Sequence, residues 1–223
     1  SKIMTRRAFE NAVIVASAIG GSSNCTTHLS AIAKHMGIKF DLSNWQKLGH
    51  AIPLLVNCQP AGEYLMESFY RAGGVPAVMQ ELIKHKKIHT NIMTVSGKTV
   101  GSNLKRKIET DKNVIKNFKD CLTEKAGFLV MKSNFFDSAI MKTSVISKDF
   151  RKRYLSNPKH LNVFLGKAVV FEGPEDYHKR IDSKKLNIDE NSILIIRGCG
   201  PVGYPGAAEV VNMQPPAHLL KKG

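Results

Sequence analysis

The apolar residues change their spacing part-way along the chain, and that change limits the fold more than any other feature. Up to Leu104 the spacing is mostly helical. Phe9, Val13 and Ala16 share one face of a helix that Thr5 can cap and Gly20-Gly21 can end. Leu29, Ile32, Ala33 and Met36 follow the i, i+3, i+4, i+7 pattern of a second helix, from Thr26 to a stop at Gly37. Ser43 is placed to cap a short helix through Leu48, and 53–56 reads as a buried strand. Further helices are expected over 63–71 and from Pro76, a favourable first helical position, to about Lys84. Between Ser102 and Lys125 the chain turns polar and charged, as a linker or crossover does. Beyond it come short β-like runs at 128–131, 168–171 and 193–196, separated by turn-rich segments. A mixed α/β fold follows, with a helix-rich first half and a β-rich second half.

Composition narrows the class. At 223 residues and 43% apolar content the chain can bury one large core or two smaller ones. It has no apolar run of 18 residues, so no membrane span is expected, and a soluble, intracellular protein is the default reading. Cys25, Cys58, Cys121 and Cys199 contain no C-x-x-C pair and signal neither a disulfide framework nor a zinc site. The formal charge of +15 suits nucleic acid or an anionic substrate. Its basic residues fall in short separate groups without interleaved aromatics, which reads as solvated faces and leaves nucleic-acid binding as the alternative from a different class. The chain starts without Met and stops abruptly after Leu219-Leu220-Lys221, which suggests a piece of a longer protein.

Three local patterns offer chemistry. Gly198, Gly200, Gly203 and Gly206, with Pro201 and Pro205, make a stiff loop able to approach a ligand closely. It contains G-x-G-x-x-G, but Pro205-Gly206 breaks the helix start that a dinucleotide fingerprint needs. Glu209 on that loop is placed either to ligate a hard cation such as Mg²⁺ or simply to start a helix. The turn Gly20-Gly21-Ser22-Ser23-Asn24 precedes a helix N-terminus, where unpaired N–H groups and the dipole favour anions. Helix capping by Ser23 or Asn24 is the competing role. Ser96-Gly97-Lys98-Thr99 resembles the end of a P-loop, yet Ile92 stands where its first glycine is required, so Lys98 is read as a turn lysine. His85 and His89 are spaced i, i+4 without the acidic partner of a metal motif.

Several segments taken in order carry a resemblance. They are Ala18-Ile-Gly-Gly-Ser-Ser-Asn24, Pro53-Leu-Leu55, Pro60-Ala-Gly-Glu-Tyr64, Tyr70-Arg-Ala-Gly-Gly-Val-Pro-Ala77, Thr94-Val-Ser-Gly-Lys-Thr99 and Val170-Phe-Glu-Gly-Pro174. Together they resemble the iron–sulfur dehydratase family that includes dihydroxy-acid dehydratase and the sugar-acid (aldonate) dehydratases. Phe135 to Ile146, Pro174 to His178 and Gly203 to Met213 look more like the arabinonate and xylonate branch. The resemblance implies a hydro-lyase that converts a 2,3-dihydroxy acid to a 2-keto-3-deoxy acid. It also implies an iron–sulfur cluster acting on the leaving hydroxyl and Mg²⁺ holding the substrate's carboxylate end.

By that likeness Glu209 falls on the magnesium-ligating glutamate, and Ser22, Ser23 and Asn24 on a substrate-lining turn. Residues 1–104 would then be the C-terminal part of an N-terminal α/β domain, 105–125 a linker or crossover, and 126–223 an incomplete barrel-like C-terminal domain. No cluster ligand is carried onto the four cysteines, and the family's catalytic serine lies beyond Gly223, so this segment alone is expected to be inactive. Ser133 stands where the family usually has glycine, and Cys25 where a small residue is common. The whole protein is expected to act on a sugar acid as a homodimer or homotetramer, in the cytoplasm or, in a eukaryote, the mitochondrion. Dihydroxy-acid dehydratase of branched-chain amino-acid synthesis is the alternative within the class.

Overall fold

The computed structural model describes residues 2–134, 139–199 and 213–222. The chain divides into two compact units, Ser1–Ile146 and Ser147–Gly223.

The first unit is built on helices. Helix α1 (Arg6–Ala18) starts where the Thr5 side chain accepts a hydrogen bond from the Ala8 N–H, and it buries Phe9, Val13 and Ala16 as its spacing requires. Helix α2 (Asn24–His35) carries Lys34 and His35 in its last turn, where positive charge suits the dipole. Helix α3 (Leu42–Gly49) is capped by Asp41 rather than by Ser43. The Asp41 carboxylate accepts from both the N–H and the hydroxyl of Ser43, a stronger cap than a lone serine. The Ser43 hydroxyl bond in particular holds the Asp41 carboxyl below its ordinary range.

Helix α4 (Met66–Arg71) begins three residues later than the spacing predicts. Tyr64 N–H donates to the Asn57 carbonyl and Gln59 N–H to the Tyr64 carbonyl, so 63–64 is already engaged in an extended pairing. Helix α5 (Gly74–Lys84) has Pro76 in its first turn, and the short α6 (Val100–Asn103) is capped by the Thr99 hydroxyl.

Residues 53–56 are extended and buried but do not form a ladder strand. They make isolated bridges, Leu54 to Thr123 and Val56 to Ile115. Their partners come from 105–125, the stretch expected as a linker or crossover, which sends Val114 and Ile115 into the core beside Leu55, Val78 and Leu82. Polar composition concealed this because the two apolar residues stand alone among charged ones. A second core gathers Phe9, Val13, Phe40, Trp45 and Phe128. Here Trp45 meets Phe128 edge-on at 5.0 Å, joining α3 to strand β1 (Phe128–Met131). Strand β2 (Ala139–Lys142) pairs antiparallel with β1, and Phe128 faces Lys142 in the register.

The second unit mixes helix and strand. Helix α7 (Lys148–Tyr154) buries none of its residues. Strand β3 (Lys167–Phe171), helix α8 (Pro174–Arg180) and strand β4 (Ser192–Ile196) form a βαβ unit whose strands are parallel. Its core is Val169, Phe171, Tyr177 and Ile188, with the Phe171 and Tyr177 rings edge to face at 5.4 Å. The short α9 (Ala217–Leu220) follows. The second half is thus not simply β-rich. Among the described residues the strands form two sheets of two, with helices between them, and no helix is long and apolar enough to cross a membrane.

Candidate functional site

The turn between α1 and α2 is fixed from below by its glycines. Gly20 has φ of +66°, and a Cβ there would meet Leu54 Cδ1 at 2.9 Å. A Cβ on Gly21 would lie 3.1 Å from the Ala16 carbonyl, which accepts the Gly21 N–H. Leu55 N–H donates to the Ala18 carbonyl at 2.8 Å, tying the end of α1 to the buried 53–58 segment. The chain therefore turns tightly against the core and presents Ser22 and Ser23 outward.

Ser22 Oγ accepts from the Asn24 N–H, and the Ser22 and Ser23 carbonyls accept from Cys25 and Thr26. Ser23 precedes α2 in helical conformation and makes no side-chain cap. Of the two residues weighed as caps for this turn, Ser23 therefore does not cap through its side chain, and Asn24 is the first residue of α2 itself.

This turn forms one wall of a cavity of about 470 Å³. Ser22 and Ser23 line it, whereas Asn24 does not. The facing wall is Val56, Cys58, Gln59 and Pro60, with Met66 and Phe69 from α4. That wall is held by Asn57, whose amide donates to the Asn113 carbonyl and whose Oδ1 accepts the Glu63 N–H. Lys142, at the end of β2, and Val145 complete the lining.

Burial pushes the Lys142 ammonium below the ordinary lysine range, although nearby Cys25 acts the other way. No carboxylate pairs with Lys142 among the described residues. The chemistry on offer is a largely apolar pocket with two hydroxyls, one amide side chain and one cation, a lining that fits a small anionic molecule bearing hydroxyl groups.

The other candidates lie elsewhere. Glu209 falls outside the described residues. Lys98 is an exposed residue of the turn at Gly97. His85 stacks on Phe118 at 4.1 Å and lies 3.5 Å from Glu81, while His89 pairs with Glu10 at 2.7 Å. The two histidines thus serve different carboxylates and do not form one metal site. Burial pushes the Cys58 and Cys121 thiols up. Among the described residues no three His, Cys, Asp or Glu side chains converge on a metal position.

Lys142 is the residue that the sequence reading missed. Its signal is faint: it is the one lysine of the otherwise apolar or hydroxylic stretch from Ala139 to Ser147.

Comparison with known proteins follows the same order of segments. The N-terminal model of the dihydroxy-acid/6-phosphogluconate dehydratase family matches residues 1–103 and its C-terminal model matches residues 113–223. D-xylonate dehydratase of Caulobacter vibrioides is 54% identical over 99% of this chain. L-arabinonate dehydratase of Rhizobium leguminosarum bv. trifolii is 42% identical over 100% of it. Dihydroxy-acid dehydratase of Caldicellulosiruptor bescii is 38% identical over 95% of it. The chain spans only 37%, 37% and 36% of the length of these relatives.

Proposed function

Because the chain belongs to the dihydroxy-acid/6-phosphogluconate dehydratase family, we propose that it is part of a hydro-lyase converting a five-carbon aldonate to its 2-keto-3-deoxy acid. The observation that carries this is the cavity at the Gly20–Ser23 turn, whose hydroxyls and lysine suit a hydroxylated acid. The 54% identity to a D-xylonate dehydratase directs the choice of acid. In this reading Ser22 and Ser23 contact the substrate, and Asn24 supports them through its N–H bond to Ser22.

The same proposal assigns Glu209 to a Mg²⁺ ion, and assigns an iron–sulfur cluster to the enzyme through ligands other than the cysteines of this chain. No catalytic step is derived through either group. Residues 1–104 belong, on this reading, to the N-terminal domain, 105–125 to the crossover, and 126–223 to a barrel-like C-terminal domain that this chain supplies in part. The complete enzyme is a homo-oligomer.

One observation favours a second substrate. Ile19, Val56, Met66, Phe69 and Val145 make much of the cavity lining apolar, as the alkyl end of a branched-chain dihydroxy acid would require.

The test is turnover by the complete enzyme containing this chain, read as 2-keto acid formed. Faster turnover of D-xylonate or L-arabinonate than of a branched-chain 2,3-dihydroxy acid is expected. The reverse order selects the second substrate, and no turnover of any of them removes the proposal. Glu209→Gln should abolish the Mg²⁺ dependence of that turnover, and unchanged dependence refutes its assignment.

A further inference from the structure

We propose that Lys142 binds the carboxylate of the acid in this cavity, together with the N–H groups of Ser22 and Ser23. This deepens the reading of the cavity as the acid's site and rests on it.

Two observations converge. Lys142 lines the cavity and has no carboxylate partner among the described residues. The backbone N–H groups of Ser22 and Ser23, residues that line the same cavity, make no hydrogen bond among the described residues, whereas those of Gly20, Gly21, Asn24, Cys25 and Thr26 are all used.

A cation and two unpaired N–H donors on one cavity match an anionic acceptor. A carboxylate provides two oxygens with about four acceptor sites and a charge that matches the ammonium and the α2 dipole. Those sites are enough for a cation to share it.

The strand is held where this role needs it. Thr143 Oγ1 donates to the Gly127 carbonyl at 2.8 Å, fixing the bend that follows Lys142. Gly127 can pass there only without a Cβ, which would run into the Gly49 carbonyl. The residues to either side of Lys142, Met141 and Thr143, do not line the cavity. Among the described residues the lysine is the one charged side chain that reaches it.

The test uses the complete enzyme and two probes, a 3-deoxy aldonate that lacks the departing hydroxyl and xylitol, a neutral polyol of similar size. Lys142→Met should weaken binding of the acid by about tenfold or more, as expected for loss of a charge-assisted bond, and leave xylitol within about twofold. Lys142→Arg should recover most of the affinity. A Lys142→Met enzyme that binds the acid as tightly as wild type overturns the proposal.

Should that variant fail to fold, amine acylation of the wild-type enzyme read by mass spectrometry decides instead. The acid must protect Lys142 while xylitol does not, and equal labelling with and without the acid is the overturning result. Protection without dehydration of any dihydroxy acid would remove the reaction and keep the carboxylate site. Turnover of an aldonate with unprotected Lys142 would do the opposite.

Discussion

Gly20 is where backbone geometry and the candidate site meet. Its φ of +66° disfavours any L side chain, and the 2.9 Å approach to Leu54 leaves no room for one. Gly20→Ala should therefore destabilise the first unit by about 1–2 kcal/mol, measured by urea denaturation. The same change should shift the Ser22 and Ser23 hydroxyls and weaken binding of the acid more than stability alone explains. Gly37, with φ of +69° and nothing within 4 Å, is the control: Gly37→Ala should cost stability through strain alone and leave binding unchanged. If both variants affect binding equally, the turn is not part of the site.

Helix α5 illustrates how one buried charge ties an element to its surroundings. Glu81 is 6% exposed, and its carboxylate accepts from Lys84 Nζ at 3.0 Å and from the Phe118 N–H at 3.2 Å. Burial opposes ionisation of Glu81, but these bonds and the charges of Lys84 and His85 outweigh it and hold the carboxyl below its ordinary 4.5. A depressed carboxyl stabilises the fold at neutral pH, and that contribution is lost as pH falls below about 4.5 through the folded value. Glu81→Gln should cost about 1–3 kcal/mol at pH 7, and the difference from wild type should shrink on acidification below that range. A difference independent of pH would show that Glu81 acts only by packing.

At this scale the sequence was legible where local chemistry decides. The face of α1, the start of α5 near Pro76 and the strands at 128–131, 168–171 and 193–196 follow from spacing and breakers within a few residues, whereas α2 forms but leaves Ile32 and Met36 of its expected face exposed. The role of 105–125 did not, because Val114 and Ile115 gain their place only by pairing with 54–57, about 60 positions earlier in sequence. Strand β2 and Lys142 were missed for the same reason. A four-residue run has no period of its own, and its meaning comes from β1 and from the distant Gly20 turn. Helices α7 and α8 escaped because their short, charged sequences are too brief to show an apolar period.

Over the whole molecule the two compact units differ in how much they bury. The first holds two clusters that include Trp45, Phe128, Leu55 and Leu82, all at most 1% exposed. The second rests on Val169, Phe171, Tyr177 and Ile188 with a few partly buried neighbours. Since stability scales with apolar area removed from water, the second unit should open at lower free energy. Its α7 carries Lys148, Arg151, Lys152 and Arg153 and buries no residue, so trypsin has several accessible targets on an element with little to hold it. Limited trypsinolysis of the 223-residue chain should therefore cut first within 148–159 and leave a longer-lived product ending near the close of the first unit. Trp45, the single tryptophan, lies at the edge-on contact with Phe128 in that first unit. Its fluorescence should stay native through the first cleavage and change only when the larger core is lost. Cleavage that begins instead within 105–125, or Trp45 fluorescence that changes with the first cut, would show that 105–125 is not anchored by Val114 and Ile115 and that the two units do not open independently.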